Sequence, residues 1–320
     1  MRFNGFIAAL LFAILIAWFL PEGPEILPLK TITDIGIGFI FFFYGLKLSP
    51  AEFKAGFYNY RVHIIIQLTT FIIFPLLTLG LLPFFEDGMG SSLWVALFFL
   101  GALPSTVSSS IVMVSLARGN LPTAIFNASL SGLIGIIATP LWMSLFMASS
   151  SQFEFGAVVQ KLVIQIILPL VIGLFLQKFL GNMARKNSGK ISFFDKSVIV
   201  LIVYSSFSSA FASELFSTVG LVDLFKLTAM VIVLFFIVYF GLAIVSRWMN
   251  FATEDEITAK FCGTKKSLVH GSVMVKVIFG NSAANALYLL PIMLYHILQL
   301  LVVAVFAEGY RKRERQEIKT

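Results

Sequence analysis

Charge is scarce in this sequence, and cysteine is almost missing from it. Asp, Glu, Lys and Arg make up 12% of 320 residues, about half the roughly 25% of soluble domains. With 58% hydrophobic residues and a mean hydropathy of +0.95, a soluble globule is excluded. A fold of this length has too little interior to hide that much apolar surface, so lipid must cover part of it. The single cysteine, Cys262, excludes an intrachain disulfide framework. The three histidines, His63, His270 and His296, are scattered and give no metal-ligand spacing, so no metal and no cofactor are expected. A His-Glu-x-x-His motif, an Asp pair within a hydrophobic run and a Ser/His pair at convincing spacing are all missing. An intramembrane enzyme therefore has no sequence support. The net charge of +7 does not point to nucleic acid, because the basic residues lie in short loops and at the C-terminus, where the positive-inside bias places them. Phe19-Leu20-Pro21-Glu22 lacks a small-x-small cleavage signal, so the first apolar run reads as an uncleaved helix rather than a signal peptide.

What the sequence does have is hydrophobic runs, enriched by 35 phenylalanines. A hydrocarbon core about 30 Å thick needs about 20 apolar residues per helix. Runs bounded by Pro, Gly and charge predict ten transmembrane helices: Phe3–Leu20, Ile32–Leu48, Tyr60–Leu82, Leu93–Ala117, Leu121–Phe146, Ala157–Leu180, Ser197–Phe211, Leu224–Trp248, Ile257–Phe279 and Ala284–Ala307. The loops alternate in charge. One set carries Lys47, Lys54 and Arg61, then Arg118, then Lys178, Arg185, Lys186, Lys190 and Lys196, then Arg311, Lys312, Arg313 and Arg315. The other carries Glu22 and Glu25, Glu86 and Asp87, Glu154, then Glu214 and Asp223. This predicts both termini on the cytoplasmic side of the cell inner membrane. The longest basic loop, around Arg185 to Lys190, separates five spans from five. Five is odd, so the halves insert in opposite senses, as inverted repeats do. The first repeat is expected over residues 1–181 (1–150 for the repeat proper), the second over 151–310, and a basic cytoplasmic tail over 311–320.

The fourth and ninth spans are not ordinary lipid-facing helices. In the fourth, Pro104 removes a backbone donor and clashes with the preceding turn, amid Ser105, Thr106, Ser108, Ser109 and Ser110, whose hydroxyls can bond the freed backbone groups. Either the helix breaks and presents free N–H and C=O ends toward a hydrated cavity, or it is kinked at a tight helix contact. The ninth span, from Phe261 to Lys276, is half polar and carries Lys265, Lys266, His270 and Lys276. A mid-membrane lysine costs about 2.5–3.5 kcal/mol on the insertion scale, so the stretch must be enclosed. Lys266, Ser267 and His270 are read as site residues, whereas Lys265 is expected at the cytoplasmic end and Lys276 to snorkel at the other. Asn127 and Ser131, spaced i, i+4 in the fifth span, are positioned to face the fourth-span break. Gln67 and Thr70 share a face of the third, with packing the expected role of Gln67. His296 is expected to be a satisfied interior histidine. Pro140 and Pro291 lie inside the fifth and tenth spans.

Pro104-Ser105-Thr106-Val107, Leu116-Ala117-Arg118-Gly119-Asn120, Ile125-Phe126-Asn127 and Phe261 through Leu268 resemble the bile acid:sodium symporter superfamily, in the branch of the seventh member of solute carrier family 10 and its bacterial relatives. The resemblance implies an all-α integral membrane fold like that of sodium/proton antiporters: ten helices in two inverted five-helix repeats, with the broken fourth and ninth spans crossing. A panel of the first, second, sixth and seventh spans would face a core of the other six. It also implies two sodium sites, which are not preserved as such here. The family serine matches Ser110, but its asparagine partner is Ile111, the fifth-span hydroxyl positions fall on Ala124 and Ala128, and the ninth-span Glu and Gln fall near Gly271 and Val275.

The sequence thus predicts a secondary transporter of a small organic anion working by alternating access, with Lys266 balancing a substrate carboxylate or standing in for a coupling ion. Sodium is a possible but unsupported coupling ion. The partners are a small solute and lipid, with the oligomeric state undetermined. The alternative is a non-transporting membrane regulator or sensor, for example of calcium homeostasis, on a transporter scaffold.

Overall fold

The computed structural model describes residues 5–23, 28–47, 56–147, 155–214, 219–280 and 284–317. Glu25, Lys54, Glu154 and residues 318–320 of the tail lie outside these, as do the side chains of Ser108, Lys312, Arg313 and Arg315. Among the described residues there is no strand. The helices are α1 (Gly5–Phe19), α2 (Leu29–Lys47), α3 (Tyr60–Phe84), α4a (Ser92–Ala102), α4b (Ser108–Leu116), α5 (Leu121–Met147), α6 (Phe155–Lys186), α7 (Ser188–Ala212), α8 (Leu221–Trp248), α9a (Thr253–Gly263), α9b (Leu268–Ile278) and α10 (Asn285–Glu317).

Seven of these, α2, α3, α5, α6, α7, α8 and α10 as far as Arg311, are long and apolar enough to cross a membrane, and Ala8–Phe19 and Ser92–Ala102 are shorter apolar helices. The exterior is correspondingly greasy. Phe175, Phe179, Phe193, Phe225 and Trp248 are each at least 75% exposed, a surface that water would not tolerate over many helices. The protein is a multi-pass membrane protein.

Three boundaries differ most from the sequence expectation. The sixth span runs on to Lys186 instead of ending at Leu180, so the basic loop expected around Arg185 to Lys190 is almost wholly helical. The seventh span begins at Ser188, nine residues before Ser197, because Lys190, Asp195 and Lys196 ride on the helix instead of preceding it. Hydropathy reads burial in lipid, not helicity, and Asp195 lies 3.8 Å from Lys47. The last helix likewise runs on to Glu317, so part of the basic tail is helical.

The chain divides into two compact units. The first comprises residues 1–48, 148–224 and 271–289, and so gathers α1, α2, α6 and α7 with the first residues of α8, most of α9b and the start of α10. Its centre is the crossing of α2 and α6 at two glycines. A Cβ on Gly45 would strike the Leu170 carbonyl, and one on Gly173 would strike the Phe42 carbonyl, with each glycine's Cα 3.1 Å from the other's Cβ position. Only glycine lets the backbones approach so closely. Phe39, Phe42, Phe43 and Phe194 pack edge-on or tilted against one another beside the crossing. Lys276, expected to snorkel, pairs instead with Asp34 at 2.8 Å and with the Thr33 hydroxyl at 2.6 Å.

The second unit comprises residues 49–147, 225–270 and 290–320. Here α4b ends on Arg118 at φ +56°, a left-handed residue that lets the Gly119 N–H reach back to the Val114 carbonyl (2.9 Å). Asn120 then caps α5, its Oδ1 accepting from the Thr123 N–H at 3.1 Å. The Asp255 carboxylate, in the acidic first turn of α9a, accepts from the amides of both Asn59 (2.7 Å) and Asn120 (2.8 Å). That one side chain ties three segments together at the end of the unit.

Candidate functional site

Two interruptions in the second unit meet. Between α4a and α4b the chain is non-helical from Leu103 to Val107, and between α9a and α9b it is unwound from Thr264 to Ser267. The Ser105 hydroxyl donates to the Cys262 carbonyl at 2.7 Å, and the Ser267 N–H donates to the Pro104 carbonyl at 2.9 Å. Each break thus supplies one donor to the other. The fourth span is broken rather than kinked.

A buried break must satisfy every polar backbone group it frees. At the end of α4a, the Leu100 carbonyl accepts from the Leu103 N–H. The Ala102 carbonyl accepts from the Thr139 hydroxyl at 2.8 Å, and the Gly101 and Leu103 carbonyls both accept from the Lys266 ammonium, at 2.6 and 2.8 Å. The Ser105 N–H donates to Ser131 Oγ at 2.9 Å. Gly135 lets the Pro104 ring lie against α5, since a Cβ there would sit 2.8 Å from it. In the ninth span, the Gln299 side chain clamps one residue twice. Its Oε1 accepts from the Lys266 N–H and its Nε2 donates to the Lys266 carbonyl, both at 2.9 Å. The Tyr295 hydroxyl donates to the Thr264 carbonyl at 2.5 Å. Ser267 caps α9b, its Oγ accepting from the His270 N–H at 3.2 Å and bonding His270 Nδ1 at 2.9 Å.

The third acceptor of Lys266 is the Thr70 carbonyl at 2.9 Å, and α3 explains why it is available. Residues Thr69–Ile73 form a π turn, in which the Phe74 N–H bonds the Thr69 carbonyl rather than that of Thr70. Pro75 has no N–H to offer Phe71. Two carbonyls are therefore left over. Lys266 takes that of Thr70, and Trp142 Nε1 takes that of Phe71 at 2.7 Å.

The two neighbouring lysines differ in how they are satisfied. Lys266 is buried, its three N–H bonds matched by three carbonyls, with the Phe74 ring 4.1 Å from its nitrogen. Lys265 is wholly buried and not at a span end, contrary to expectation, yet among the described residues its ammonium donates to one carbonyl, that of Ser109 at 2.7 Å. Among the described residues, no carboxylate lies within ion-pair distance of either.

Of the residues singled out in the sequence, Ser105, Lys266, Ser267 and His270 line the junction, and Thr70 joins it through its carbonyl. Thr106 is buried and Ser109 half-buried, their hydroxyls 3.4 Å apart. Ser110 is buried, and its hydroxyl meets no partner among the described residues. Ser131 faces the fourth-span break, but Asn127 does not: its amide donates to His63 Nδ1 at 2.6 Å and to the Thr123 carbonyl at 3.1 Å, and its Oδ1 accepts from Gln67 at 3.1 Å. Asn127, Gln67 and His63 form a separate polar group between α3 and α5. The sequence passed over Gln299, Thr139 and Trp142, and placed Lys265 at a span end instead of in the site. Gln299 had a signal, a polar side chain three residues after His296 in an apolar helix, and Gln299 Nε2 indeed bonds His296 Nδ1 at 3.0 Å.

Comparison with known proteins gives one consistent answer. A family profile described as SBF-like CPA transporter matches residues 4–312. An uncharacterized protein of Pseudomonas aeruginosa is 37% identical, the match covering 97% of this chain and 93% of the other. Escherichia coli YfeH is 32% identical over 98% of this chain and 94% of its own. Sodium/bile acid cotransporter 7 of Rattus norvegicus is 29% identical over 89% and 83% respectively.

Proposed function

The chain belongs to the SBF-like CPA transporter family, and from that premise we propose that it is a secondary active transporter moving a small organic anion by alternating access. Ten membrane crossings in two inverted five-helix repeats, over 1–150 and 151–310, belong to this reading, with both termini on the cytoplasmic side of an inner membrane. The alternating charge of the loops supports that orientation. The grouping of α1, α2, α6 and α7 in a compact unit that takes in residues 271–278 of α9b but none of α4a, α4b or α9a supports a division into panel and core.

The observation that carries the reading is Lys265. A fully buried ammonium needs three acceptors, and this one has a single carbonyl and no counter-charge among the described residues. Burying a cation in this state is costly, and an anionic solute removes the cost by filling the two open donors. Ser109, whose carbonyl Lys265 holds, lies in the first turn of α4b and is half-buried. The N–H groups of that turn have no intrahelical partner, and the helix dipole favours negative charge there. The role of solute counter-charge thus passes from Lys266, which has no donor to spare, to its neighbour.

Stability of the purified protein in detergent, measured against a panel of small carboxylates with and without sodium, tests this, because a ligand of the native state raises the apparent melting temperature. At least one carboxylate is expected to stabilise the parent and not Lys265→Gln, and to enter proteoliposomes containing the parent. Equal stabilisation of both proteins would remove Lys265 from the site. A carboxylate that binds but never crosses would make the protein a sensor.

A further inference from the structure

Lys266 carries a second consequence, independent of any solute and of whether the protein transports one. The groups around its nitrogen come from two elements and exist for reasons of backbone geometry. Thr70 and Phe74 belong to the π turn of α3 and its exit, where the missing N–H of Pro75 and the shifted bond of Phe74 leave the Thr70 carbonyl over. Gly101 and Leu103 are at the broken end of α4a, where Pro104 stops the helix. Such an end carries roughly half a negative charge, and the face of the Phe74 ring, 4.1 Å away, adds the negative side of its quadrupole. Three uncharged carbonyl oxygens at 2.6–2.9 Å and one ring face are the donor set of a monovalent cation. Rings of backbone carbonyls replace the hydration shell of such ions in selective channels, and a carboxylate, which a divalent ion would demand, is not among the contacts of the nitrogen.

We infer that this cradle is a monovalent cation site whose permanent occupant is the Lys266 ammonium. Because the cation is covalently tethered, its occupancy does not depend on dissolved sodium or potassium. The junction of the two broken helices stays neutralised at any ionic composition, and no alkali ion enters or leaves this position as the protein works. Gln299 fixes the tether by gripping the backbone of the same residue on both sides.

Removing the tether should expose the site. In Lys266→Ala the side chain beyond Cβ is gone and three carbonyls face an empty cradle. In Lys266→Met the space is filled but the charge is lost. The readout is the apparent melting temperature of each protein in detergent, titrated at constant ionic strength with methylammonium, sodium, potassium or N-methylglucamine chloride and with no solute present. The parent is expected to show no saturable response specific to the small cations. Lys266→Ala is expected to melt several degrees lower, and to recover part of that loss saturably with methylammonium or a small alkali cation but not with bulky N-methylglucamine. Lys266→Met is expected to stay destabilised in all four salts. Parent-like melting of either variant, or an identical cation response in parent and Lys266→Ala, overturns the inference. If Lys266→Ala is recovered unfolded in every buffer, the methionine variant decides: melting like the parent refutes a need for charge here, and a loss of several degrees upholds it. Failure here leaves anion recognition by Lys265 intact, since that is read with carboxylates on a different side chain.

Discussion

Replacing Gln299 with leucine tests whether the unwound stretch of the ninth span is held by a side chain or by its own backbone. Leucine is close in volume, so little cavity results, and what disappears is hydrogen bonding. Gln299 is 0% exposed, leaving no water to take over the Lys266 N–H and carbonyl that it now satisfies at 2.9 Å each. A buried group orphaned in this way costs about 1–3 kcal/mol, so the pair costs about 2–6 kcal/mol. With about 2 °C of melting temperature per kcal/mol in a chain of this order of size, the expected drop is about 4–12 °C. Because the apparent melting temperature of an irreversibly unfolding protein depends on scan rate, parent and variant are compared at one scan rate. Hydrogen–deuterium exchange supplies an independent readout: the amide of Lys266, bonded to Gln299 in the parent, should exchange faster in the variant, while α4a keeps its protection. A leucine variant that melts with the parent and shows unchanged exchange at residues 264–267 would refute the clamp. The contacts of Ser105 with Cys262 and of Ser267 with Pro104 would then suffice.

Three further perturbations read other parts of the same construction. Trp142→Phe keeps an aromatic ring but leaves the Phe71 carbonyl without its donor, and should lower thermal stability by about 1–3 kcal/mol, seen as a fall in apparent melting temperature. Gly135→Ala puts a Cβ 2.8 Å from the rigid Pro104 ring; overpacking of this kind costs about 1–3 kcal/mol, and the effect should largely vanish when Pro104→Ala is made in the same protein. Gly173→Ala drives a Cβ into the Phe42 carbonyl, and size-exclusion chromatography should show loss of monodisperse protein, because backbone cannot rotate out of the way as a side chain does.

Much of this was legible in the sequence, for an identifiable reason. Lipid demands long apolar runs and forbids unsatisfied backbone, so the runs locate the helices, and Pro104 with its hydroxyl neighbours locates a break. What stayed illegible depends on contacts distant in the chain. Pro75 lies in an apolar run and drew no attention there; that it helps leave the Thr70 carbonyl for a lysine 196 residues further along from Thr70 has no local signature. Lys265 and Lys266 are adjacent and chemically identical, and only the carbonyls contributed by α3, α4a and α4b distinguish the saturated one from the open one. The start of α7 was missed because charge at a helix end looks like a loop when the scale used is hydropathy. Asn127 was placed correctly on its helix but assigned to the wrong neighbour, because i, i+4 spacing with Ser131 fixes a face and not what lies one turn further along it.

Under the proposed function, the difference between the lysines also restricts what the solute can be. In a continuous helix, successive side chains would be held about 100° apart by its 3.6-residue repeat; in the unwound segment, Lys265 reaches α4b while Lys266 reaches α3 and α4a. Lys266 is compensated within the protein, so its charge adds no demand for an anion. Lys265 has one carbonyl partner among the described residues, and under the proposed function its two remaining donors, in a low-dielectric setting, would reward a ligand that brings both charge and acceptor oxygens. A carboxylate brings both. The amide of the same acid has nearly the same shape, but it offers one acceptor oxygen, no charge, and N–H groups that would face the ammonium as donor against donor. Of a carboxylate that stabilises the parent protein and its own primary amide, only the acid should bind, and the gap should close in Lys265→Gln. An amide that bound the parent as tightly as the acid would mean that recognition lies in the apolar part of the solute, and that the buried charge of Lys265 is compensated by something other than the ligand.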